Sequence, residues 1–462
     1  MKTRMKKLSG IFLVLTMVLA LASCGKSETG GGSSAASIPS PAPKGEASAE
    51  APAGGAGAPV SGDIVFQTWT TEIKEIVDLQ TEAMKAIYPD VNIKLEILSY
   101  DDYWQKLPIA IASGAGPDMY LMTRPNFEVF ANAGQAADIT SYMTTSEALK
   151  KNASEVDPTL IETYQLNGKQ MGYPLSYEST GIIFNKEIFE EAGIPFPSEI
   201  EATWTWDDLR DIANTLTKRE GEKITQFGYY IPAGRFPTFE FIWANGGELF
   251  NEDGTRCEIA NDAGKEAIQF LADMMLVDQV SPTIAYTQSE SSTDMFLSGK
   301  IAMMSLMNSS ISRMIDDIKD FEWDVAEMPL NPKTGKRYAS SNVLGYMISP
   351  NSQSIDACIA YLAFITSAEQ QSLFAEKHVY IPANKNSQSE YFESAVPANL
   401  QAFERALSYA KPMVMSGYVP YAQTTSVITE ALTNIYNGAY SVEEAWTDAQ
   451  DQLNEVIDEK IH

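Results

Sequence analysis

An α/β fold with parallel sheets is predicted by three observations. Strand-like and helix-like stretches alternate over residues 63–122. Each pair of strands there is joined by a helix, which is the connection that parallel neighbours require. The same order returns after residue 179.

The elements follow from their spacing. "DIVFQTW" (63–69) reads as a buried strand. Ile73, Ile76, Val77, Met84 and Ile87 recur at helical spacing over 72–87. "YPDVNIKLEIL" alternates Val91, Ile93, Leu95 and Ile97 against Asn92, Lys94 and Glu96, a strand with one face more exposed. Asp101 or Asp102 is expected to cap the next helix, which ends at Ser113-Gly114, and Pro108 to kink it or delay its start. "PDMYLM" (117–122) is the third strand. Ligands of open parallel sheets bind beyond the carboxyl ends of the strands. Trp69 and the Thr123-Arg124 pair occupy two such ends.

Farther on, "TGIIFNKEIFEEAGI" is a strand and a short helix closed by Gly193. "TWTWDDLRDIANTLT" is a helix with Thr205 as N-cap, "FGYYIP" a strand, "SPTIAYTQSE" a loop, and "GKIAMMSLM" another strand. The chain closes on a helix with a Ser441–Glu444 capping box. Its apolar face is Val442, Ala445, Trp446, Ala449, Leu453 and Ile457.

The amino terminus carries a different message. Lys2, Arg4, Lys6 and Lys7 precede an apolar run from Ile11 to Ala22. A membrane span needs roughly 20 apolar residues, so the run reads as a signal-peptide core. Leu21-Ala22-Ser23-Cys24 resembles a bacterial lipobox, in which the cysteine thiol is acylated and residues 1–23 are removed. Two acyl chains hold a protein stably on a membrane surface. Residues 25–62 are rich in Gly, Ser, Ala and Pro, contain no aromatic residue, and cannot bury enough to fold. As a flexible linker, 24–62 reaches about 30–35 Å.

Composition excludes several functions. The net charge of −28 makes nucleic acid and anionic lipid poor partners. Only His378 and His462 are present, which rules out histidine-rich zinc sites and leaves His378 alone for any Ser-His or Cys-His chemistry. Cys257 and Cys358 read as small buried residues, with a disulfide between them left open. No cofactor and no metal are expected.

Seven patches in order resemble the family 1 extracellular solute-binding proteins of ABC importers, the carbohydrate-binding group that includes maltose-binding protein. They are "DDYWQKLPIAIASGAGPDMYLM", "YPLSYESTGIIFNKEIFEEAGI", "TWTWDDLRDIANTLTK", "WANGGELFNEDG", "DMFLSGKIAMMS", "VLGYMISPNSQSIDACIAYLAFITSAEQQ" and "YIPAN". The resemblance implies the two-lobe periplasmic-binding-protein fold, type II-like. Each lobe is then a mostly parallel sheet flanked by helices, and about three crossover segments join them. Crossings are expected near Tyr173–Leu175, Ile284–Gln288 and Val343–Gly345. Lobe one is then 63–172 plus 289–342, and lobe two 173–288 plus 343–462.

A sugar offers apolar faces to aromatic rings and hydroxyl edges to polar side chains. The expected ligand-binding residues are therefore Trp69 at the end of strand one, Tyr177 and Glu178 after the first crossing, and Trp243 in "WANGGELF". Arg124 in the loop after the third strand, Asp118 in "GPD", Asn308 and Asn342 complete the set. Glu178 matches a ligand-contacting acid of the family. Asn308 falls where the family often has Gly-Ser-Trp; that tryptophan is missing here, which implies a different ligand shape. Trp204, Trp206 and Trp446 are assigned to the core.

The resemblance implies a monomeric extracytoplasmic lipoprotein, not an enzyme, that captures a carbohydrate and delivers it to the permease subunits of an ABC importer. Two alternatives stand beside it. The same fold could bind a peptide, a polyamine or a metal, or Glu178 and Asp118 could face each other as the two carboxylates of a polysaccharide-cleaving enzyme.

Overall fold

The structure is a computed structural model that describes residues 60–393, 397–413 and 415–461. The leader, Cys24 and nearly all of the expected linker lie outside the described residues. Among those described, no helix is long and apolar enough to cross a membrane.

Two long strands organise the molecule: Gly172–Asn185 and Ala339–Ile348, both buried throughout. They pair antiparallel through Gly172–Ser179 and Ser341–Met347. On one side, Leu344–Ile348 pairs antiparallel with strand Met119–Thr123. That strand is followed outward by Gly62–Thr68 and Val91–Ile97, in parallel register. On the other side, Thr180–Phe184 pairs antiparallel with Ile301–Met307, which pairs in parallel with Lys223–Tyr230. The result is two α/β halves hung on one continuous sheet.

This pairing corrects the expected lobe boundaries. Strand Ile301–Met307 was assigned to lobe one but lies beside Lys223–Tyr230 in the second half. Helices Ile355–Ile365 and Ala368–Glu376 were assigned to lobe two, yet Ala357, Tyr361, Leu362 and Phe374 pack with Ile64 and Phe66 in the first. The chain does not cross at Ile284–Gln288, where a short helix, Ile284–Thr287, packs Ile284 on the second-half core and Tyr286 beside Phe227. The first crossing lies deeper in its strand than Tyr173–Leu175, where the partner of that strand changes between Ser179 and Thr180. A crossing inside an unbroken buried strand leaves no mark in composition.

Local signals are realised elsewhere. Thr205 and Asp208 form a reciprocal cap, as do Ser441 and Glu444. Gly193 closes its helix at φ 67°, a conformation that glycine adopts without steric penalty. The six expected apolar residues of helix Val442–Ile461 are its six buried ones. Helix Tyr100–Ala112 contains Pro108 and is capped by Ser99 rather than by Asp101 or Asp102: Asp102 N donates to Ser99 Oγ at 3.3 Å. Cys257 and Cys358 are free, buried and packed in different clusters.

Candidate cleft between the two halves

The parallel strands of both halves aim their carboxyl ends at one cleft, where the sheet changes partners. Its inner chamber holds about 380 Å³. The outer chamber holds about 800 Å³ and shares Tyr100, Arg235, Met307 and Ser309 with the inner one. Both sizes suit small-molecule sites.

The first half supplies an aromatic wall. Trp69 follows strand Gly62–Thr68 and sits 4.9 Å from Tyr103, 5.3 Å from Trp104 and 5.9 Å from Tyr100, ring centre to ring centre. Helix Tyr100–Ala112 begins at the cleft, and its 3.6-residue period brings Tyr100, Tyr103 and Trp104 to that one corner. The Tyr380 hydroxyl donates to Thr70 Oγ1 at 3.3 Å, and Thr70 donates to Glu72 at 2.7 Å. Burial pulls the Glu72 carboxyl upward, but hydrogen bonds led by Thr70 outweigh it and leave Glu72 below its usual range.

The floor is the pair of crossing strands. Asn342 Nδ2 donates to Glu178 Oε2 at 2.7 Å, across the rung that pairs these residues. Glu178 is 6% exposed. Burial pushes its carboxyl above the usual range, and Ser309, Asn342 and the Arg235 charge offset this only in part. The second half adds Arg235 at the start of helix Arg235–Ala244, Met307 at the end of strand Ile301–Met307 with Ser309 beyond it, and Tyr230 in the outer chamber.

Three of the expected residues, Trp69, Glu178 and Asn342, line the inner chamber together. The other five do not line either chamber. Tyr177 points into the core because strand neighbours face opposite ways. Trp243 is 3% exposed and packs in the second-half core, with Lys411 over its ring at 5.4 Å. Asn308 is fully buried and serves the backbone, its Oδ1 accepting from Ser179 N at 2.7 Å and its carbonyl from the Tyr391 hydroxyl at 3.0 Å. Arg124 stands one residue past the lining Thr123, tied to Glu128 at 2.6 Å. Asp118 precedes strand Met119–Thr123, at the end away from the cleft. It accepts from Val65 N at 2.9 Å and Ser352 Oγ at 2.6 Å, so the Glu178–Asp118 pair of the enzyme alternative does not form.

Sequence reasoning missed Tyr100, Trp104, Arg235 and Tyr380. The first two carried a usable signal, since "YDDYW" opens the helix that follows the second strand end. Arg235 and Tyr380 carried none; only the fold brings Tyr380 to Thr70.

Comparison with known proteins agrees with this geometry. The chain is 24% identical over 382 residues to a binding protein of Brucella abortus, a match covering 81% of this chain and 88% of the relative. It is 22% identical over 316 residues to the arabinooligosaccharide-binding protein of Halalkalibacterium halodurans, covering 67% and 68%. In structure it superposes on an ABC substrate-binding protein of Listeria monocytogenes, solved in complex with cycloalternan. The TM-score there is 0.78 at 23% identity, covering 86% of this chain and 99% of that one. The maltotriose-binding protein of Thermus thermophilus gives a TM-score of 0.70 at 18% identity, covering 85% and 100%. The model of one family, described as bacterial extracellular solute-binding protein, matches residues 68–372. With the greater part of the chain so matched and both halves meeting at a shared cleft, the protein belongs to the bacterial extracellular solute-binding protein family.

Proposed function

We propose that the protein captures an oligosaccharide between its halves and hands it to an ABC import permease, held on the extracytoplasmic side of the cell membrane by acylated Cys24. The observation that carries this reading is the pairing of a ring-lined wall, Trp69, Tyr100 and Trp104, with a hydrogen-bonding floor, Glu178 and Asn342, in one cleft. Rings take the C–H faces of a sugar and the floor takes its hydroxyl edges. The outer chamber gives room for more than one sugar ring. The sugar-binding descriptions of the Halalkalibacterium and Listeria relatives support the same cargo. The family match supports an extracytoplasmic location and a permease partner, and the lipobox supports the tether.

Each half alone offers part of the site, so ligand favours the closed arrangement by its differential affinity. Trp69, Glu178 and Asn342 are assigned to ligand contact; Asp118, Arg124, Tyr177, Trp243 and Asn308 are assigned to support. The test is a thermal-shift screen over mono- and oligosaccharides, followed by small-angle scattering with the best binder. A raised melting temperature, an unaltered sugar and a smaller radius of gyration are expected. Sugar cleavage, or no stabilisation by any saccharide, overturns the reading.

A further inference from the structure

Arg235 spends its charge differently from four other arginines of the molecule. Arg337 is paired with Glu327 at 3.1 Å and Arg405 with the same carboxylate at 2.6 Å. Arg210 holds Asp278 through two nitrogens, at 2.5 and 2.9 Å, and Arg124 holds Glu128 at 2.6 Å. Among the described residues, none accepts a hydrogen bond from the Arg235 guanidinium and no carboxylate lies in ion-pair range of it. Rings position it instead: its central carbon lies 4.6 Å from the Phe236 ring centre and 5.4 Å from that of Tyr421. It lines both chambers, at their junction.

The nearest acids are committed elsewhere. Glu178 takes the Asn342 amide, and Glu240, 2% exposed, takes the Thr180 hydroxyl at 2.9 Å and Ser340 N at 3.3 Å. Burial also favours the neutral form of both carboxyls. Closing the cleft over a neutral sugar would strip water from a guanidinium that holds no ion pair, with only the longer-range charges of Glu178 and Glu240 to offset the loss, an unfavourable step. A planar, fork-shaped donor is instead matched to a carboxylate, which it grips through two parallel hydrogen bonds.

We propose that the oligosaccharide carries a uronic acid residue whose carboxylate docks on Arg235 where the two chambers meet. This rests on the carbohydrate reading above and specifies its ligand class. The test uses the mature protein with matched pairs: trigalacturonate, trimannuronate and glucuronosyl-xylobiose, each beside its methyl ester, with maltotriose and arabinotriose as neutral sugars and a sulfated trisaccharide as the rival anion. At least one acid should bind ten- to a hundredfold more tightly than its own ester, the roughly expected worth of a charge-assisted contact. Arg235→Gln should collapse that ratio, and Arg235→Lys should recover only part of it; the wild-type ester comparison stands even if a variant fails to fold. Neutral sugars or esters binding as well as every acid, or the sulfated sugar binding best, overturns this inference and leaves the carbohydrate reading intact. Binding of no saccharide overturns both.

Discussion

Trp69 and Trp243 are both tryptophans beside a strand or helix end, and both look like sugar platforms in the sequence, yet the fold gives them opposite work. Trp69 comes one residue after a parallel strand, on the edge of the sheet where the backbone turns away and leaves the ring facing the cleft. Trp243 sits inside helix Arg235–Ala244, all of whose residues from Pro237 to Ala244 are buried, so its ring packs in the second-half core and does not reach the cleft. Position relative to the carboxyl edge of the sheet decides the role, not residue type. A two-turn helix packed on every face is core, whatever its aromatic content.

Substitution separates the two rings most sharply. Trp243→Ala should cost about 3–5 kcal/mol of stability by opening a cavity in the second-half core, read as a lowered denaturant midpoint. Sugar affinity of the protein that stays folded should be close to wild type. A loss of affinity without a loss of stability would return Trp243 to the site. Trp69→Ala should do the reverse, weakening sugar binding roughly 10–100-fold through the lost apolar contact, with a much smaller change in the melting curve. Calorimetric titration of both variants against the same sugar checks the pair.

A smaller effect sharpens the contrast at the floor. The Glu178 carboxyl is raised above its solution value of 4.5 in the folded protein. A raised carboxyl costs nothing below 4.5, where both states are protonated; the cost grows as pH rises past 4.5 and is complete above the folded value. Glu178→Gln should therefore melt roughly 1–3 °C higher than wild type at pH 7–8, with the difference vanishing as pH falls below about 4.5. Sugar binding should weaken in the same variant. A melting temperature that falls at neutral pH would mean that the charged carboxylate supports the fold.

Much of the architecture was legible because it repeats short rules. Alternation marked the edge strand Val91–Ile97, and the 3.6-residue stripe marked the face of the last helix from Val442 to Ile457. Trp69 was legible as a strand end, and Glu178 and Asn342 as residues of crossing segments. Tyr177 could not be told from Glu178 by chain position alone, since their opposite orientations depend on which face of the strand meets the cleft. The boundaries failed because Gly172–Asn185 changes partners without changing character. Asn308 failed for a related reason: its neighbours Met307 and Ser309 line the cleft, while its own amide fastens the crossing strand at Ser179. Arg235 and Tyr380 were invisible because long-range packing, not local pattern, sets their surroundings.

The placement of the indoles has an optical consequence. Of the seven tryptophans, Trp204, Trp206, Trp243, Trp323 and Trp446 are sealed in the cores, while Trp69 and Trp104 border the chambers. The ultraviolet emission of this protein is thus a steady background from five shielded fluorophores plus a signal from two adjacent ones that line the cleft. Quenching by iodide should select that second component, and its protection by a saturating sugar gives a label-free gauge of occupancy.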